Sequence, residues 1–413
     1  MITAEHPYRS IGAVRQAIEK GESVRSIVQA HLDAIKTLDG ELNAIAKLND
    51  KALDDADRLD SLKADERGPL HGVPVVVKDQ IETAGIRTAY GSKVCEDNVP
   101  ERDATLVSKL KDAGAVIIAK TTMPDWAASW FSTSSLTATT GNPHDPSRDA
   151  GGSSSGSGAA VASRMAVVGI GGDTGGSIRL PSSFCGLVGV RVTPGRISRD
   201  GMSALVTPQD TPGPMTLSVE DAARILDAIV GFDDRDEYTS INVMSPGESF
   251  VEAIKSPTLK GKRMGVLQEA FGKHKGINSV LDSKLKQLDD EGADLVDVVI
   301  PELDFFMTFT SVYSTRSKGD INAFLASRKE LAHLKIEEIY QNKDYHEALD
   351  LIDAIAKGPT DYLQSPHFGR RFVEQARFQR VVAGIFARER LDAIVYPTCQ
   401  LLAPKTQDVL DKR

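Results

Sequence analysis

Two segments rich in glycine stand out in this chain: Gly151-Gly152-Ser153-Ser154-Ser155-Gly156-Ser157-Gly158 and Gly171-Gly172-Asp173-Thr174-Gly175-Gly176-Ser177-Ile178-Arg179. The first leads directly into residues 159–166, whose composition predicts a helix, and the second follows residues 167–170, which predict a buried strand. The chain therefore runs through a loop, a helix, a strand and a second loop in succession.

The first segment has two interpretations, which its composition leaves about equally open. A run of glycine and serine is typical of a flexible linker. This run, however, enters a helix start, and backbone amides at the N-terminus of a helix suit an anion or a polar anchor. Its position in the chain therefore argues for a structured loop.

Three kinds of glycine-rich loop are candidate interpretations of the second segment: a dinucleotide loop, a phosphate loop and a nucleophile loop. A dinucleotide loop fits poorly, because Gly169, Gly171 and Gly175 lack the G-x-G-x-x-G spacing and no acidic residue follows at the usual distance. A phosphate loop requires Lys before Ser or Thr, which this segment lacks. A nucleophile loop fits better, because glycines let backbone N–H groups approach a reacting carbonyl and Ser177 ends the run.

A serine nucleophile needs a base, and Lys78 is the candidate. The chain has no G-x-S-x-G elbow and no evident histidine motif, whereas Lys78 ends the apolar run 73–77 and precedes Asp79. A lysine at a strand end ordinarily faces water. Burial would lower its pKa and make it a competent base near neutral pH.

Composition excludes several classes of function. The 413 residues are 41% hydrophobic, as in ordinary globular proteins, and their net charge of −9 argues against nucleic-acid or anionic-membrane partners. We expect no secretory signal and no membrane span, because no basic stretch precedes an apolar run and no run reaches about eighteen apolar residues. Three separated cysteines and scattered histidines indicate reduced thiols, a cytoplasmic location and no metal site.

Helix and strand patterns alternate along the chain, which implies helices flanking a largely parallel sheet. Predicted helices cover residues 10–20, 23–37, 50–64 and 218–230, predicted strands cover 73–77, 116–118 and 391–397, and 305–390 is mostly helical. We find no internal repeat and no clear linker, so we expect one domain over residues 1–413.

Together these segments resemble the amidase signature family of serine amide hydrolases. The similar segments are 68–79, 112–121, 151–189, Gly213-Pro214-Met215 and, weakly, Tyr396-Pro397-Thr398. The resemblance is strong over about 65–235. It implies an α/β/α sandwich with a large mixed central sheet, and amide hydrolysis without a cofactor.

The resemblance also implies a Lys-Ser-Ser triad. Lys78 would be the base, Ser177 the nucleophile and Ser153 the bridging residue, held through a cis peptide bond from Gly152. The supporting residues would be Ser154 and Asp173, and the oxyanion would be held by the backbone amides of Thr174, Gly175, Gly176 and Ser177.

Met123, Trp126 and Trp130 follow a predicted core strand and are candidates for an acyl pocket. Plain core packing is an equally good interpretation of these three side chains. The helical region 305–390 matches no family member closely enough to transfer a specificity.

We expect an amidase that hydrolyses a small, aryl or acyl carboxamide to a carboxylic acid and ammonia or an amine, through an acyl-enzyme on Ser177. One alternative is the A-type subunit of a glutamine-dependent amidotransferase, which needs a partner and a basic surface for tRNA that the net charge does not support. Another alternative is a non-catalytic binding protein with the same fold, which the intact triad positions disfavour.

The expected partner is a small-molecule amide, and a homodimer is one assembly open to the chain. Family members usually carry further sheet strands after the position of Tyr396-Pro397-Thr398, whereas this sequence ends at Arg413. We therefore expect the C-terminal part of the usual family fold to be missing here.

Overall fold

The computed structural model describes residues 1–412, which form two compact units. The first unit contains Met1–Ile254, Asp320–Lys357 and the residues from Ala403 onward, and the second contains Lys255–Gly319 and Gly358–Leu402. Compact units are not always independently folding domains, so the single domain expected over 1–413 stays a prediction.

Strands and helices alternate through most of the chain. The strands are β1 Ile45–Leu48, β2 Pro74–Lys78, β3 Val116–Thr121, β4 Gly141–Asn142, β5 Asp145–Asp149, β6 Val168–Asp173, β7 Val188–Gly189, β8 Thr211–Thr216, β9 Arg263–Val266, β10 Asp294–Asp297 and β11 Ala393–Val395. The helices are α1 Ile11–Glu19, α2 Val24–Leu42, α3 Ala52–Asp60, α4 Thr105–Asp112, α5 Ser155–Ala162, α6 Arg179–Cys185, α7 Val219–Ile229, α8 Ile241–Met244, α9 Phe250–Ala253, α10 Lys275–Asp290, α11 Leu303–Phe309, α12 Tyr313–Ala326, α13 Ile336–Asn342, α14 Ile352–Ala356, α15 Phe368–Glu389 and α16 Thr406–Leu410.

The first unit is built on a six-stranded mixed sheet with the order β1-β3-β2-β6-β8-β7. Strands β3, β2 and β6 are parallel to one another, whereas β1 pairs antiparallel with β3, and β8 pairs antiparallel with both β6 and β7. The expectation of a mixed sheet with flanking helices is confirmed. The sheet is less parallel than the alternation of elements alone predicts, because β8 returns beside β6 in the opposite direction.

Both faces of the central strands are buried, which explains their nearly continuous apolar sequence. Val75 and Val77 pack in one hydrophobic cluster with residues of α1, α4 and α7. Val76, between them, packs in a second cluster with residues of α2, α3 and α5. This alternation of side chains places one layer of helices on each face of the sheet.

The sheet also brings the two glycine-rich segments and Lys78 together. Strands β2 and β6 are parallel neighbours in which Val77 pairs with Ile170, so both strands end at the same edge. Lys78 is the last residue of β2, and Gly171 and Gly172 lie near the end of β6. In α/β proteins, ligand-binding and active sites usually lie at the carboxyl ends of neighbouring parallel strands.

Helix α5 begins earlier than the sequence predicts. The expected helix covers residues 159–166, whereas the structure has Ser155–Ala162. Every residue of α5 is buried, so its small side chains are selected by close packing instead of by an amphipathic pattern. The serine run thus leads directly into the first turn of a core helix, which begins at Ser155, and the flexible-linker interpretation is wrong.

Gly156 illustrates this close packing and provides a prediction. A Cβ at Gly156 would lie 2.1 Å from the Ala44 carbonyl oxygen and 2.4 Å from the Thr122 amide nitrogen. These backbone atoms cannot move aside without a large cost in free energy. We therefore expect Gly156→Ala to destabilise the fold by about 3 kcal/mol or more. The matched control is Gly40→Ala in α2, where a Cβ meets nothing within 4 Å. It should stabilise the protein by roughly 0.5–1 kcal/mol. Thermal unfolding of both variants tests the pair, and equal midpoints would contradict the packing argument.

The second unit contains a three-stranded parallel sheet with the order β10-β9-β11. Leu267, Val298, Ile300 and Ile385 form its hydrophobic cluster, and Ile385 comes from α15. The Phe306 ring of α11 stacks on Phe378 of α15 with centroids 4.7 Å apart. The strand predicted at 391–397 is present as the shorter β11. Among residues 1–412, no helix has both the length and the apolar character that a bilayer crossing requires.

Candidate active site

Ser154 ties the two glycine-rich segments together. Its hydroxyl accepts the Gly172 N–H at 3.1 Å and lies 3.2 Å from the Gly172 carbonyl oxygen, to which it donates. The Ser154 N–H donates to the Ser177 carbonyl oxygen at 3.1 Å. The Gly152–Ser153 peptide bond is cis, as the resemblance leads us to expect. The serine predicted as supporting is therefore a direct link between the loop before α5 and the loop after β6.

Lys78 is fully buried at the end of β2. Its Nζ lies 2.8 Å from the Ser153 hydroxyl oxygen and 3.2 Å from the Gly172 carbonyl oxygen. Burial lowers the pKa of Lys78 to about 7, although the negative charges of Asp173 and Asp210 act in the opposite direction. A lysine with this pKa is neutral in a large fraction of molecules at physiological pH and is able to accept a proton.

Asp173 organises the loop that carries Ser177. Its carboxylate accepts the backbone N–H groups of Gly176 at 2.8 Å and Ile178 at 3.0 Å. Arg179 and Arg191 contact the same carboxylate at 3.1 Å and 2.8 Å. Burial alone would raise the pKa of Asp173, but the hydrogen bond from Arg179 and the two positive charges outweigh it and hold the pKa below its usual value. The loop is therefore wrapped around a carboxylate that stays ionised.

Ser177 is buried, with 3% of its surface exposed, and lies two residues before α6. The four amides expected to hold an oxyanion are not equivalent. The Gly176 N–H is engaged by Asp173, which leaves the amides of Thr174, Gly175 and Ser177 as the candidate donors. An oxyanion hole needs donors aimed at the developing charge, so this difference narrows the expected set.

The three candidate pocket residues lie in different environments. Met123 and Trp126 are fully buried, and the Trp126 ring stacks on Tyr90 with centroids 5.7 Å apart. Trp130 is half-buried and lies against the Ser177 loop, since a Cβ at Gly176 would be 2.8 Å from its ring. The structure therefore brings Trp130 to the site, while the surroundings of Met123 and Trp126 are those of core residues.

Sequence reasoning missed three charged residues that surround the site. Arg179 is the last residue of the glycine-rich segment 171–179 and was available as a signal, whereas Arg191 and Asp210 lie outside any motif. Asp210 accepts a hydrogen bond from the Thr174 hydroxyl at 2.6 Å. Within residues 1–412, no three His, Cys, Asp or Glu side chains come together in a way that suits a metal ion.

Comparison with known proteins identifies the family. The Amidase family model matches residues 26–412. The A-type subunit of glutamyl-tRNA(Gln) amidotransferase from Maridesulfovibrio salexigens is 36% identical over 391 residues, which cover 91% of this chain and 79% of the relative.

Solved structures agree with the sequence comparison. Peptide amidase of Stenotrophomonas maltophilia superposes with a TM-score of 0.85 at 29% identity, covering 98% of this chain and 89% of that one. The A-type subunit of glutamyl-tRNA(Gln) amidotransferase from Thermotoga maritima superposes with a TM-score of 0.75 at 27% identity, covering 98% and 83%. With the sheet, the two loops and the family match in agreement, this chain belongs to the amidase signature family.

Proposed function

We propose that this protein hydrolyses a primary carboxamide to a carboxylic acid and ammonia, with Ser177 as nucleophile, Ser153 as proton relay and Lys78 as base. The observation that carries the proposal is the 2.8 Å contact between the Lys78 Nζ and the Ser153 hydroxyl oxygen inside a buried site. A buried lysine with a pKa of about 7 and a serine hydroxyl as its partner suit proton transfer near neutral pH.

The proposed reaction begins with proton transfer. Neutral Lys78 takes the proton of the Ser153 hydroxyl while Ser153 takes the proton of Ser177. The Ser177 oxygen then attacks the amide carbon. The negative charge that develops on the carbonyl oxygen is stabilised by backbone N–H groups of the loop, and the candidate donors are those of Thr174, Gly175 and Ser177. One oxyanion donor is worth about 3–4 kcal/mol of transition-state stabilisation.

Breakdown of the tetrahedral intermediate reverses the relay. The proton held on Lys78 returns through Ser153 to the leaving nitrogen, the carbon–nitrogen bond breaks, and ammonia departs from an acyl-enzyme on Ser177. Water then attacks the ester with the same lysine and serine as base and relay. Asp173 assists indirectly, because its contacts with Gly176 and the two arginines fix the loop that presents Ser177.

Two substrate classes are compatible with this chemistry. The curated relatives named as the A-type subunit of glutamyl-tRNA(Gln) amidotransferase favour glutamine as the amide donor and a second kind of protein chain in the assembly. They support this alternative better than the free-standing amidase that we expected first. The likeness to peptide amidase supports the free-standing enzyme. Cytoplasmic location and a homodimer remain predictions in either case.

A panel of amides, assayed for ammonia release by the chain alone, tests the proposal and separates the two substrate classes. The panel contains glutamine, asparagine, peptide amides, acyl amides and anilides, each offered to the wild type and to Ser177→Ala. Peptide or acyl amide turnover that requires Ser177 would support a free-standing amidase. Turnover confined to glutamine would support the amidotransferase. Lack of ammonia from any substrate, with ligand binding retained, would refute the free-standing amidase and leave two alternatives, the non-catalytic binding protein and an amidotransferase subunit that needs its partner.

A further inference from the structure

Asp210 is a buried carboxylate that contacts the nucleophile loop at Thr174. The residue is 2% exposed. The carboxylate accepts the Thr174 hydroxyl at 2.6 Å and the backbone N–H groups of Leu205 at 2.9 Å and Val206 at 3.1 Å. The two backbone donors, Leu205 and Val206, fix this carboxylate in place, so it is able to fix Thr174 in turn.

The sheet register explains why the two residues meet. Strands β6 and β8 run antiparallel, and Asp173 at the end of β6 pairs with Thr211 at the start of β8. Thr174 and Asp210 are the next residues outward on the two strands and therefore lie opposite each other. The contact is a consequence of the fold, and it falls on the first residue of the Ser177 loop.

The two carboxylates beside this loop differ in how their charge is balanced. Asp173 is paired with Arg179 and Arg191. Among residues 1–412, no lysine or arginine forms a direct ion pair with Asp210, whose hydrogen bonds come from neutral donors. The charge of Asp210 is therefore less compensated than that of Asp173.

Other charged groups near Asp210 are largely occupied with one another. Asp210 lines a cavity of about 170 Å³ together with Arg199, Asp200, Arg235 and Asp236. Arg199 forms a bidentate pair with Asp236, and Asp200 is paired with Arg102 and lies 3.4 Å from Arg235. The charge of Arg199 reaches Asp210 only as a secondary influence on its pKa, which burial raises above the usual value.

We propose that Asp210 is a positioning residue of this active site, which holds Thr174 through its hydroxyl and so keeps the backbone of the nucleophile loop in the conformation that presents the oxyanion donors. This inference rests on the proposed function of the Lys78, Ser153 and Ser177 site. Misplacement of reacting groups by about 1 Å costs roughly 100-fold in rate. Loss of a hydroxyl–carboxylate contact at the start of the loop should therefore have a large effect on the rate.

Asp210 has a second effect, on the base. Asp173 and Asp210 are the two carboxylates that raise the pKa of Lys78 against the larger lowering by burial. Removal of the Asp210 charge should therefore lower the pKa of Lys78 further, whereas removal of the Thr174 hydroxyl should not. This difference separates the charge of Asp210 from its role as a hydrogen-bond acceptor.

The test compares Asp210→Asn, Thr174→Val and Thr174→Ser in steady-state assays across pH 6–10 on the best substrate of the amide panel. Asp210→Asn should lower kcat by about 10- to 100-fold with a small change in KM. It should also lower the apparent pKa of the acid limb of kcat/KM by about 0.5–1 pH unit. Thr174→Val should lower kcat similarly and leave the limb in place, while Thr174→Ser, which keeps the hydroxyl, should restore most of the rate.

Two comparisons make the outcome decisive. The double variant Asp210→Asn/Thr174→Val should be no slower than the worse single variant if the two residues act through one contact. Asp200→Asn is the matched control, because Asp200 lines the same cavity but pairs with Arg102, and its kcat and pH profile should remain those of the wild type.

Wild-type kcat in Asp210→Asn and Thr174→Val, or an unmoved acid limb in Asp210→Asn, would overturn the inference. Should Asp210→Asn fail to fold, the Thr174 pair alone decides it, since equal rates for Val and Ser at position 174 would also overturn it. An active wild type with an inactive Ser177→Ala keeps the proposed function intact in either case. An inactive wild type would instead refute the proposed function.

Discussion

Ser177→Ala is expected to lower kcat for amide hydrolysis by about 1000-fold or more, because the variant has no oxygen with which to form the acyl-enzyme. The fold should be unaffected, since the change removes one hydroxyl and leaves the Ser177 carbonyl that accepts the Ser154 N–H. Ammonia release measures the rate. A fluorophosphonate, which leaves a stable adduct on the nucleophilic serine, followed by peptide mass mapping, locates that residue in the wild type.

Ser155→Ala is the matched control for this experiment. Ser155 belongs to the same serine run and is fully buried, and its hydroxyl has no hydrogen-bond partner among the described residues. Loss of an unsatisfied hydroxyl should leave kcat unchanged and leave stability unchanged or slightly increased. An adduct on Ser153 or Ser155, or substantial turnover by Ser177→Ala, would remove Ser177 from the nucleophile's role.

The parts of the site predicted from sequence are those fixed by short-range signals. The β-branched run before Lys78 predicts a buried strand, and β2 is Pro74–Lys78 with every residue buried. Serine caps likewise predict the starts of α2 and α7, where Ser23 and Ser218 accept backbone N–H groups of their helices. Such signals depend on neighbours in sequence, so they are visible without the fold.

The parts that were missed depend on contacts between distant segments. Asp210 contacts Thr174 only because β8 pairs antiparallel with β6, and no local sequence pattern predicts that pairing. Arg191 reaches Asp173 from the residues after β7 for the same kind of reason. The early start of α5 was missed because serine and glycine are poor helix formers, and tertiary packing overrides that preference.

Lys78→Met is expected to abolish amide hydrolysis, because the variant lacks the buried amine that acts as the base. In the wild type, kcat/KM should rise with pH along an acid limb with an apparent pKa of about 7, because only neutral Lys78 accepts the Ser153 proton. The variant should lose activity by about 1000-fold or more and show no such limb in its residual rate. Steady-state kinetics from pH 5 to 10 measures both. A limb of unchanged position in Lys78→Met would assign it to another group.

The same variant should be more stable than the wild type at neutral pH, and the dependence of this difference on pH follows from linkage. The pKa of Lys78 is about 7 in the folded protein and about 10.5 in the unfolded chain, so between these values the unfolded chain binds a proton that the folded protein does not. The stability of the wild type therefore increases with pH through this window, and the cost of burying the lysine is greatest below pH 7.

Methionine at position 78 carries no such cost, although it removes the donor to the Ser153 hydroxyl oxygen and one of the two side-chain donors to the Gly172 carbonyl, which keeps the Ser154 hydroxyl. We expect a net gain of about 2 kcal/mol near pH 7 that shrinks toward pH 10. Lys120, the other fully buried lysine, has a pKa lowered to about 8 by burial and is present in both proteins, so the difference between their denaturant unfolding curves isolates Lys78. A stability difference that does not depend on pH would mean that Lys78 is charged in the folded protein, and the base would then have to be sought elsewhere.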